Sequence, residues 1–359
     1  MPIKVAINGF GRIGRATFKI LTNTPNPGCL ISPVLSNADV EVVAINDLTD
    51  PATLAYLLKY DSVYGRSDSQ IEGKSSQDKS VGGIKFNGKV IPVFAEKDPV
   101  NLPWKKLEVD VVIESTGFFT NYTDSQKHIT AGAKRVIISA PAKGEENDDN
   151  SIQVFGTEKT ALMVESQKKP LIVSNASCTT NCVSPVMQVM GVAFGVEKAL
   201  MSTIHGYTSS QNLVDGPNKK IRLTRAAGLN IIPSSTGAAI ATTKVISQLQ
   251  EKFDGIAFRV PVPTGSVSDI TFVTKKNVTV EEVNNAFVKA MAHPLLKNVL
   301  LASNESIVST DVIGTYYSAI VDLEYTKVVG GNLVKVVAWY DNEWGYSSRL
   351  AEMAVILGK

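Results

Sequence analysis

Hydrophobic residues along the first half of the chain fall into short runs separated by helical patterns. The runs lie at 3–8, 40–46, 109–114, 135–139 and 171–173, and amphipathic helical segments start at Ile13 and cover 51–58. Short apolar runs that alternate with helices are typical of parallel strands joined by crossover helices. The pattern therefore predicts an α/β domain built on a doubly wound parallel sheet.

The second half of the chain has longer strands and fewer helices. Strand patterns cover 199–205, 254–262, 266–274 and 333–340, whereas helical patterns cover 236–250 and 280–292. Long alternating strands are typical of antiparallel sheets. We therefore predict a first domain over 1–176 and a second, mixed and largely antiparallel α+β domain over 177–342.

Length and composition are those of an ordinary globular protein with two domains. The chain has 359 residues, 44% hydrophobic and 19% charged, and a single core rarely exceeds ~250–300 residues. A net charge of +2 argues against a dedicated nucleic-acid-binding protein, which carries a concentrated basic face. Apolar runs stay shorter than the ~20 residues of a transmembrane helix. The chain starts directly with a strand-like run, so we expect a cytoplasmic protein without a leader peptide.

A glycine motif follows the first predicted strand. Gly9, Gly11 and Gly14 have the spacing GxGxxG and precede a predicted helix. In that setting the glycines permit a tight turn and the close approach of a pyrophosphate, whose charge is stabilised by the helix N-terminus. The first domain is therefore predicted to be a dinucleotide-binding domain of the Rossmann type.

Asp47 ends the second predicted strand and is the candidate acceptor for the ribose hydroxyls. It follows the glycines at more than the usual ~20 residues, which we attribute to an inserted loop over 22–37. A carboxylate there repels a 2′-phosphate, so NAD is favoured over NADP. A turn or helix-capping role for Asp47 is the alternative.

Cys178 is the candidate nucleophile. It follows the run at 171–173, where a strand is predicted to lead into a helix. The first turn of a helix carries unsatisfied N–H groups that stabilise a thiolate. The alternative is an inert thiol in the core. Cys182 lies one helical turn after Cys178, and we expect it to be a reduced structural thiol rather than part of a disulfide. We expect no metal site at these cysteines, because no second pair of Cys or His accompanies them.

Histidine is scarce, with only His128, His205 and His293 in the chain. Surface or capping roles are expected for His128 and His293, which lie on or at the end of predicted helices. His205 ends a predicted strand and opens a loop, where an imidazole can act as a base for Cys178.

Three blocks of sequence closely resemble the phosphorylating glyceraldehyde-3-phosphate dehydrogenases. They are 8–15 (NGFGRIGR), 174–183 (SNASCTTNCV) and 339–346 (WYDNEWGY). The resemblance implies that an aldehyde is oxidised by NAD through a Cys178 thioester, with His205 as base, and that inorganic phosphate then releases 1,3-bisphosphoglycerate. It also implies a homotetramer, and a C-terminal helix over 343–359 that completes the first domain.

The resemblance assigns roles to further residues. Those near the cofactor are Gly9, Phe10, Gly11, Arg12, Ile13, Asp47, Thr116, Ser139, Asn342 and Tyr346. Thr208 and Arg259 are implied to bind the substrate phosphate, and Ser177, Thr179, Thr236 and Gly237 the inorganic phosphate. Pro217 matches the NAD-type pattern of the family. Ser210 and Leu223 depart from common family patterns, which puts contacts around this loop in doubt.

Other functions remain open on the sequence alone. An erythrose-4-phosphate dehydrogenase of the same superfamily would share nearly every residue named and differ in how the acyl-enzyme is resolved. A non-catalytic NAD-binding or RNA-binding module would require Cys178 and His205 to be structural. A cysteine hydrolase would leave the glycine motif and Asp47 without a role.

Overall fold

The structure is a computed structural model that describes residues 1–74 and 81–359. The chain separates into two compact units. The first unit comprises Met1–Gln153, Met163–Ala176 and Ser347–Lys359. The second unit comprises Val154–Leu162 and Ser177–Tyr346.

The first unit contains the predicted parallel sheet. Its strands are β1 (Ile3–Asn8), β2 (Val40–Asn46), β3 (Tyr60–Asp61), β4 (Gly65–Arg66), β5 (Ile71–Lys74), β6 (Val81–Phe86), β7 (Lys89–Phe94), β8 (Val111–Glu114), β9 (Arg135–Ile138), β10 (Asn150–Ile152) and β11 (Ile172–Ser174). The main sheet has the order β10-β11-β9-β8-β1-β2-β7-β6-β5, and all its neighbours from β10 to β7 pair in parallel. The prediction of a doubly wound parallel sheet is confirmed.

Several helices begin after a residue whose side chain accepts a hydrogen bond from the first turn. Their bounds are α1 (Arg12–Leu21), α2 (Pro51–Lys59), α3 (Trp104–Leu107), α4 (Tyr122–Thr130), α5 (Glu158–Glu165), α6 (Cys178–Phe194), α7 (Ala238–Val245), α8 (Val280–Ala292) and α9 (Trp344–Gly358). Asp50 caps α2 by accepting a hydrogen bond from the Thr53 N–H, and Thr279 with Glu282 forms a capping box on α8. By contrast, α1 has Gly11 at its N-cap and no side-chain cap.

The inserted segment over 22–37 packs into the first unit. Asn26 is buried and donates from Nδ2 to the Gly65 carbonyl oxygen at 2.6 Å. Ser32 and Leu35 are buried as well, whereas Leu30 and Val34 are about half exposed. The insertion therefore has an inner face that contributes to the core.

The second unit is a mixed sheet with helices packed against it. Its strands are β12 (Val196–Gly206), β13 (Ile232–Ser235), β14 (Phe253–Val260), β15 (Ser266–Thr274), β16 (Leu300–Ser303), β17 (Ala319–Val329) and β18 (Leu333–Tyr340). Their order is β13-β14-β12-β15-β18-β17-β16, with β12–β14 and β16–β17 parallel and the other neighbours antiparallel. The prediction of a mixed, largely antiparallel sheet is confirmed. Pairing of β12 with β14 sets His205 beside Arg259.

Among the described residues, every helix is too short or too polar to cross a lipid bilayer.

Candidate active site

The turn between β1 and α1 is closely packed. Gly9 has a φ of +91°, and a Cβ there would lie 2.5 Å from the Thr116 backbone nitrogen. A Cβ on Gly14 would collide with the Gly9 carbonyl oxygen. Gly11 has open space where a side chain would be. A side chain on Gly9 or Gly14 would therefore clash with backbone atoms, so these two positions require glycine. A side chain on Gly11 would meet no atom, so there is free space beside the start of α1.

Asp47 lies directly after β2 and holds this turn in place. Its Oδ2 accepts a hydrogen bond from the Phe10 N–H at 2.7 Å, and its Oδ1 accepts from the Thr49 N–H at 2.9 Å. A carboxylate oxygen has two lone pairs, so both can still accept a hydroxyl. The contacts therefore fit the predicted ribose acceptor and also the alternative role in a turn.

Arg12 and Ile13 occupy the first turn of α1. Arg12 forms an ion pair with Asp61, with 2.6 Å between Nη1 and Oδ2, and its guanidinium lies 5.5 Å from the centre of the Tyr64 ring. Ile13 is partly buried. Ser139 follows β9 and donates its N–H to the Glu114 carbonyl oxygen at 2.9 Å.

A buried polar network lies at the carboxyl end of β8. The Trp104 indole N–H donates to His128 Nδ1 at 3.0 Å, and His128 Nε2 lies 3.0 Å from Glu114 Oε2. An indole N–H can only donate a hydrogen bond. His128 Nδ1 is therefore the acceptor, and His128 Nε2 carries the proton and donates a hydrogen bond to Glu114. The other oxygen, Oε1, accepts the Thr116 N–H at 2.9 Å and also the Thr116 hydroxyl. Glu114 therefore orients Thr116, one of the residues predicted near the cofactor.

Sequence reasoning missed this network. The expected surface or capping role of His128 is wrong, because its side chain is fully buried against Trp104 and Glu114. A signal was present in Glu114, a carboxylate that closes an otherwise apolar strand. For His293 the capping role is confirmed, since its backbone N–H bonds the Ala290 carbonyl oxygen at the end of α8.

In the second unit, Cys178 is the first residue of α6. Ser177 caps the helix, and its Oγ accepts the Thr180 N–H at 3.1 Å and lies 2.8 Å from Thr180 Oγ1. The strand-to-helix transition predicted here is confirmed, with β11 ending at Ser174.

Cys178, His205 and Arg259 meet in one chain of contacts. Cys178 Sγ lies 3.3 Å from His205 Nε2. On the other side of the ring, His205 Nδ1 lies 2.7 Å from the Gly206 carbonyl oxygen and 2.6 Å from Arg259 Nη1. Arg259 Nη1 also donates to the Gly206 carbonyl oxygen at 3.2 Å. The nucleophile and base predicted from sequence are thus in contact, and Arg259 contacts the base.

The local electrostatics act in both directions on an ion pair between Cys178 and His205. Burial raises the pKa of the Cys178 thiol, although the Arg259 charge and hydrogen bonding at the helix start act against this. Burial, and to a smaller extent the Arg259 charge, lower the pKa of His205 to about 3. Burial thus acts against charge separation between the two groups, whereas hydrogen bonding at the helix start and the Gly206 carbonyl oxygen act in favour of it. The thiolate expected from the position of Cys178 at the helix start stays a prediction.

Tyr340 connects this site to two neighbouring elements, and sequence reasoning had not singled it out. Its hydroxyl lies 2.9 Å from Thr179 Oγ1 and 2.8 Å from Thr203 Oγ1. Its ring packs edge-on against His205, with 6.0 Å between ring centres. Tyr340 therefore links the first turn of α6 to β12, and the Thr179 hydroxyl has a partner within the protein.

The other residues predicted to bind phosphate make hydrogen bonds within their own loops. Thr208 Oγ1 lies 2.8 Å from Ser210 Oγ, so the unusual Ser210 contacts a predicted ligand residue. Thr236 Oγ1 accepts the Ala238 N–H at 3.2 Å, and Gly237 is the N-cap of α7. Leu223, the second departure, is buried.

Asn342 and Tyr346 follow β18. Asn342 Oδ1 accepts from the Ser266 hydroxyl at 2.9 Å and from the Thr264 hydroxyl at 3.1 Å. These bonds fix which end of the amide is the donor. Tyr346 is buried.

The three cysteines of the chain are free thiols. Cys182 is buried, with its Sγ 3.8 Å from the Ala338 carbonyl oxygen, and burial raises its pKa. Across residues 1–74 and 81–359, no group of three His, Cys, Asp or Glu side chains is arranged to hold a metal ion.

Comparison with known proteins identifies the family. The model described as glyceraldehyde 3-phosphate dehydrogenase, NAD binding domain, matches residues 3–122, and that for the C-terminal domain matches residues 177–342. Glyceraldehyde-3-phosphate dehydrogenase of Streptomyces coelicolor is 46% identical over 358 residues, which cover 100% of this chain and 99% of the relative. The Geobacillus stearothermophilus protein of the same name is 47% identical over 99% of this chain and 98% of its own. The chain therefore belongs to the glyceraldehyde 3-phosphate dehydrogenase family and carries that family's NAD-binding domain.

Proposed function

We propose that this chain oxidises glyceraldehyde 3-phosphate with NAD and inorganic phosphate to 1,3-bisphosphoglycerate. The supporting observation is the 3.3 Å contact between Cys178 Sγ and His205 Nε2 at the start of α6. A thiol beside an imidazole is the arrangement that covalent catalysis on an aldehyde requires. Arg259, on the same imidazole, supplies a guanidinium suited to a phosphorylated substrate.

In the proposed reaction, Cys178 Sγ bonds to the aldehyde carbon and forms a thiohemiacetal. His205 Nε2 takes the hydroxyl proton as the carbon is oxidised to a thioester. NAD, when bound, accepts the hydride. Inorganic phosphate then attacks the thioester carbon, and Cys178 leaves as the thiolate. Retaining the acyl group on sulfur conserves the energy of oxidation in an acyl phosphate.

Two groups of residues are proposed to bind the phosphates. Thr208 and Arg259 bind the substrate phosphate, and Ser177, Thr179, Thr236 and Gly237 bind the inorganic phosphate. The hydroxyls and the amide at the start of α7 are suitable donors to phosphate oxygens. Thr208 is supported further by its contact with the Ser210 hydroxyl, which adds a second donor.

The residues of the β1–α1 turn fit NAD. An uncapped helix N-terminus can stabilise a pyrophosphate, and the Asp47 carboxylate can accept ribose hydroxyls. We propose Gly9, Phe10, Gly11, Arg12, Ile13, Asp47, Thr116, Ser139, Asn342 and Tyr346 as the cofactor residues. We also propose that 1–176 with 343–359 bind NAD, that 177–342 carry the catalytic residues, and that the protein is a cytoplasmic homotetramer.

The test follows NADH absorbance with purified protein, glyceraldehyde 3-phosphate and NAD. Sustained turnover that requires phosphate or arsenate, with a burst of about one NADH per Cys178 in their absence, would support the proposal. Sustained turnover without either anion would favour the erythrose-4-phosphate alternative. Absence of NADH formation would contradict an enzymatic role. Cys178→Ser should abolish oxidation and retain NAD binding, whereas Cys29→Ser is the matched control that should remain active.

A further inference from the structure

Asn342 is a buried side chain with a donor that no described residue uses. It follows β18 and is 5% exposed. Its Oδ1 accepts from the Ser266 hydroxyl at 2.9 Å, and the Thr264 hydroxyl lies 3.1 Å from the same oxygen. Across residues 1–74 and 81–359, Nδ2 has no hydrogen-bond acceptor within the protein. A buried donor without a partner indicates a place where a ligand supplies the acceptor.

The backbone around Asn342 is held by the preceding residue, so the orientation of the side-chain amide is the remaining variable. Asp341 is 1% exposed and accepts the Gly314 N–H at 2.8 Å. It also accepts the Glu343 and Trp344 N–H groups at the start of α9, at 2.8 and 2.9 Å. A half-turn of the Asn342 amide would exchange Oδ1 and Nδ2 without moving any backbone atom.

Ser266 decides between these two orientations. It is the first residue of β15, and its side chain is buried. Its Oγ already accepts the Gly206 N–H at 3.2 Å, and its single proton can be donated to one acceptor. With Asn342 Oδ1 facing it, this proton has an acceptor. With Nδ2 facing it, the hydroxyl would receive two donors, and its own proton would be buried without a partner among the described residues, which is unfavourable.

Thr264 does not make the same choice. Its Oγ1 lies 3.1 Å from Asn342 Oδ1 and 3.2 Å from Asp341 Oδ1. In either orientation of the amide its proton can be donated to the Asp341 carboxylate, and a lone pair can accept from Nδ2. The preference therefore depends on Ser266. Loss of the Ser266 hydroxyl would make the two orientations similar in energy.

We propose that Ser266 is a positioning residue that directs the NH₂ group of Asn342 to the carboxamide oxygen of NAD. This rests on the proposed function, in which Asn342 is a cofactor residue, and deepens it by assigning the orientation of its amide. A ribose hydroxyl can donate or accept, so it would bind either end of the amide. A carboxamide has one accepting and one donating end, so a fixed NH₂ group selects the rotamer whose oxygen faces Asn342. Ser266 thereby sets the rotamer of the carboxamide without contacting the cofactor.

The first experiment measures equilibrium binding by calorimetry and does not depend on turnover. The ligands are NAD and ADP-ribose, which lacks the nicotinamide ring. Ser266→Ala should weaken NAD binding on the order of fivefold, as expected for one hydrogen bond, and leave ADP-ribose binding unchanged. Ser268→Ala is the matched control, because Ser268 is buried on the same face of β15 and its hydroxyl lies 3.4 Å from Thr203 Oγ1. It should leave both affinities unchanged.

A double-mutant cycle separates positioning from a general structural role. Asn342→Ala should weaken NAD binding and leave ADP-ribose binding unchanged. If Ser266 acts through Asn342, adding Ser266→Ala to Asn342→Ala should weaken NAD binding no further. Additive losses would overturn the proposal. An equal loss of NAD and ADP-ribose affinity in Ser266→Ala would overturn it as well.

A cofactor analogue identifies the atom that accepts from Asn342. Acetylpyridine adenine dinucleotide keeps the carbonyl oxygen of the carboxamide and replaces its NH₂ group with a methyl group. Ser266→Ala should weaken the binding of this analogue by the same factor as that of NAD. An analogue affinity that does not respond to Ser266→Ala would place the contact on the carboxamide NH₂ group and contradict the proposal.

A failure of the proposed function is recognised separately in the same measurements. Wild-type protein that binds neither NAD nor ADP-ribose would overturn the proposed cofactor site, and this inference with it. NAD binding by wild type that is unaffected in Ser266→Ala would overturn only the role of Ser266.

Discussion

Asp47 illustrates how one side chain can serve both the fold and a ligand. Its two oxygens accept backbone N–H groups from Phe10 and Thr49, which join the end of β2 to the turn before α1. The carboxylate is therefore fixed before any cofactor binds. This preorganisation lowers the entropic cost of accepting ribose hydroxyls. A fixed negative charge also repels a 2′-phosphate at the same place.

Asp47→Asn is expected to weaken discrimination against NADP. The amide retains one oxygen acceptor and loses the charge, so repulsion of the 2′-phosphate falls. We expect the ratio of kcat/KM for NAD to that for NADP to decrease about tenfold or more, which corresponds to ~1.4 kcal/mol. Steady-state kinetics with both cofactors measure the ratio. An unchanged ratio would place the ribose contact on another residue.

Lys19 is a buried cation whose ionisation affects stability. The side chain is 2% exposed, and burial lowers its pKa to about 8, opposed in part by the charge of Asp61. The folded chain thus binds this proton less tightly than the unfolded chain, where the pKa is near the ordinary 10.5. Above pH 10.5, Lys19 is neutral in the folded and unfolded chains, and its ionisation costs no stability. The cost grows as the pH falls from there towards about 8 and has its full value below about 8.

Lys19→Met should therefore stabilise the protein at neutral pH. The variant keeps an unbranched apolar stem and removes the cost of ionisation, which the pKa difference sets on the order of 3 kcal/mol. Urea unfolding at several pH values measures the difference in the free energy of unfolding. It should be largest below about pH 8 and vanish above pH ~10.5. A difference that does not vary with pH would show that packing, rather than ionisation, is responsible.

At the level of elements, the sequence predicts regular segments well and contacts between distant segments poorly. The strands at 266–274 and 333–340 and the helix at 280–292 have the predicted bounds, because alternation and the Thr279 cap are local signals. The strands at 71–74, 81–86 and 89–94 were not predicted, since glycine and lysine interrupt the apolar pattern of the first two and Pro92 that of the third. The predicted helix at 236–250 ends at Val245 and continues as a 3₁₀ turn.

The candidate active site shows the same difference between local patterns and contacts formed by the fold. Cys178 and the glycine motif lie within short, recognisable patterns. Tyr340 contributes through Thr179 and Thr203, which are far away in sequence, and Glu114, although unusual at the end of an apolar strand, contributes through a buried histidine on another element. The sequence around Tyr340 and Glu114 does not indicate which hydroxyl or imidazole will lie against each side chain. These contacts therefore required the three-dimensional structure.

The network that joins α3, α4 and β8 is expected to contribute to stability through His128. His128→Ala would leave the Trp104 N–H and the Glu114 carboxylate buried with fewer partners, at a cost of about 1–3 kcal/mol for each group. Thermal or urea unfolding measures the loss. His293→Ala, at the exposed end of α8, is the control and should change stability by less than about 0.5 kcal/mol. Equal effects in both variants would contradict a role for the network.

For the whole molecule, the proposed division of labour assigns one kind of ligand to each unit. The uncapped start of α1, Asp47 and Thr116 all belong to the first unit, whereas Cys178, His205 and Arg259 belong to the second. A ligand that binds only the folded state stabilises the segments it contacts, by ~2.7 kcal/mol at a hundred times its Kd. Amide hydrogen exchange can therefore locate each ligand without any catalysis.

NAD is expected to slow exchange in 9–15, 46–49 and 115–118, since these backbone amides surround the proposed cofactor site. NADP at the same concentration should protect them less, because of the Asp47 charge. Glycerol 1-phosphate should instead protect 205–210, and inorganic phosphate should protect 236–239. Arg259→Gln should reduce the protection by glycerol 1-phosphate while leaving the effect of NAD intact. Protection of the α7 segment by NAD, with none at the β1–α1 turn, would contradict the cofactor assignment. Loss of both responses in Arg259→Gln would indicate that this variant is damaged beyond the substrate site.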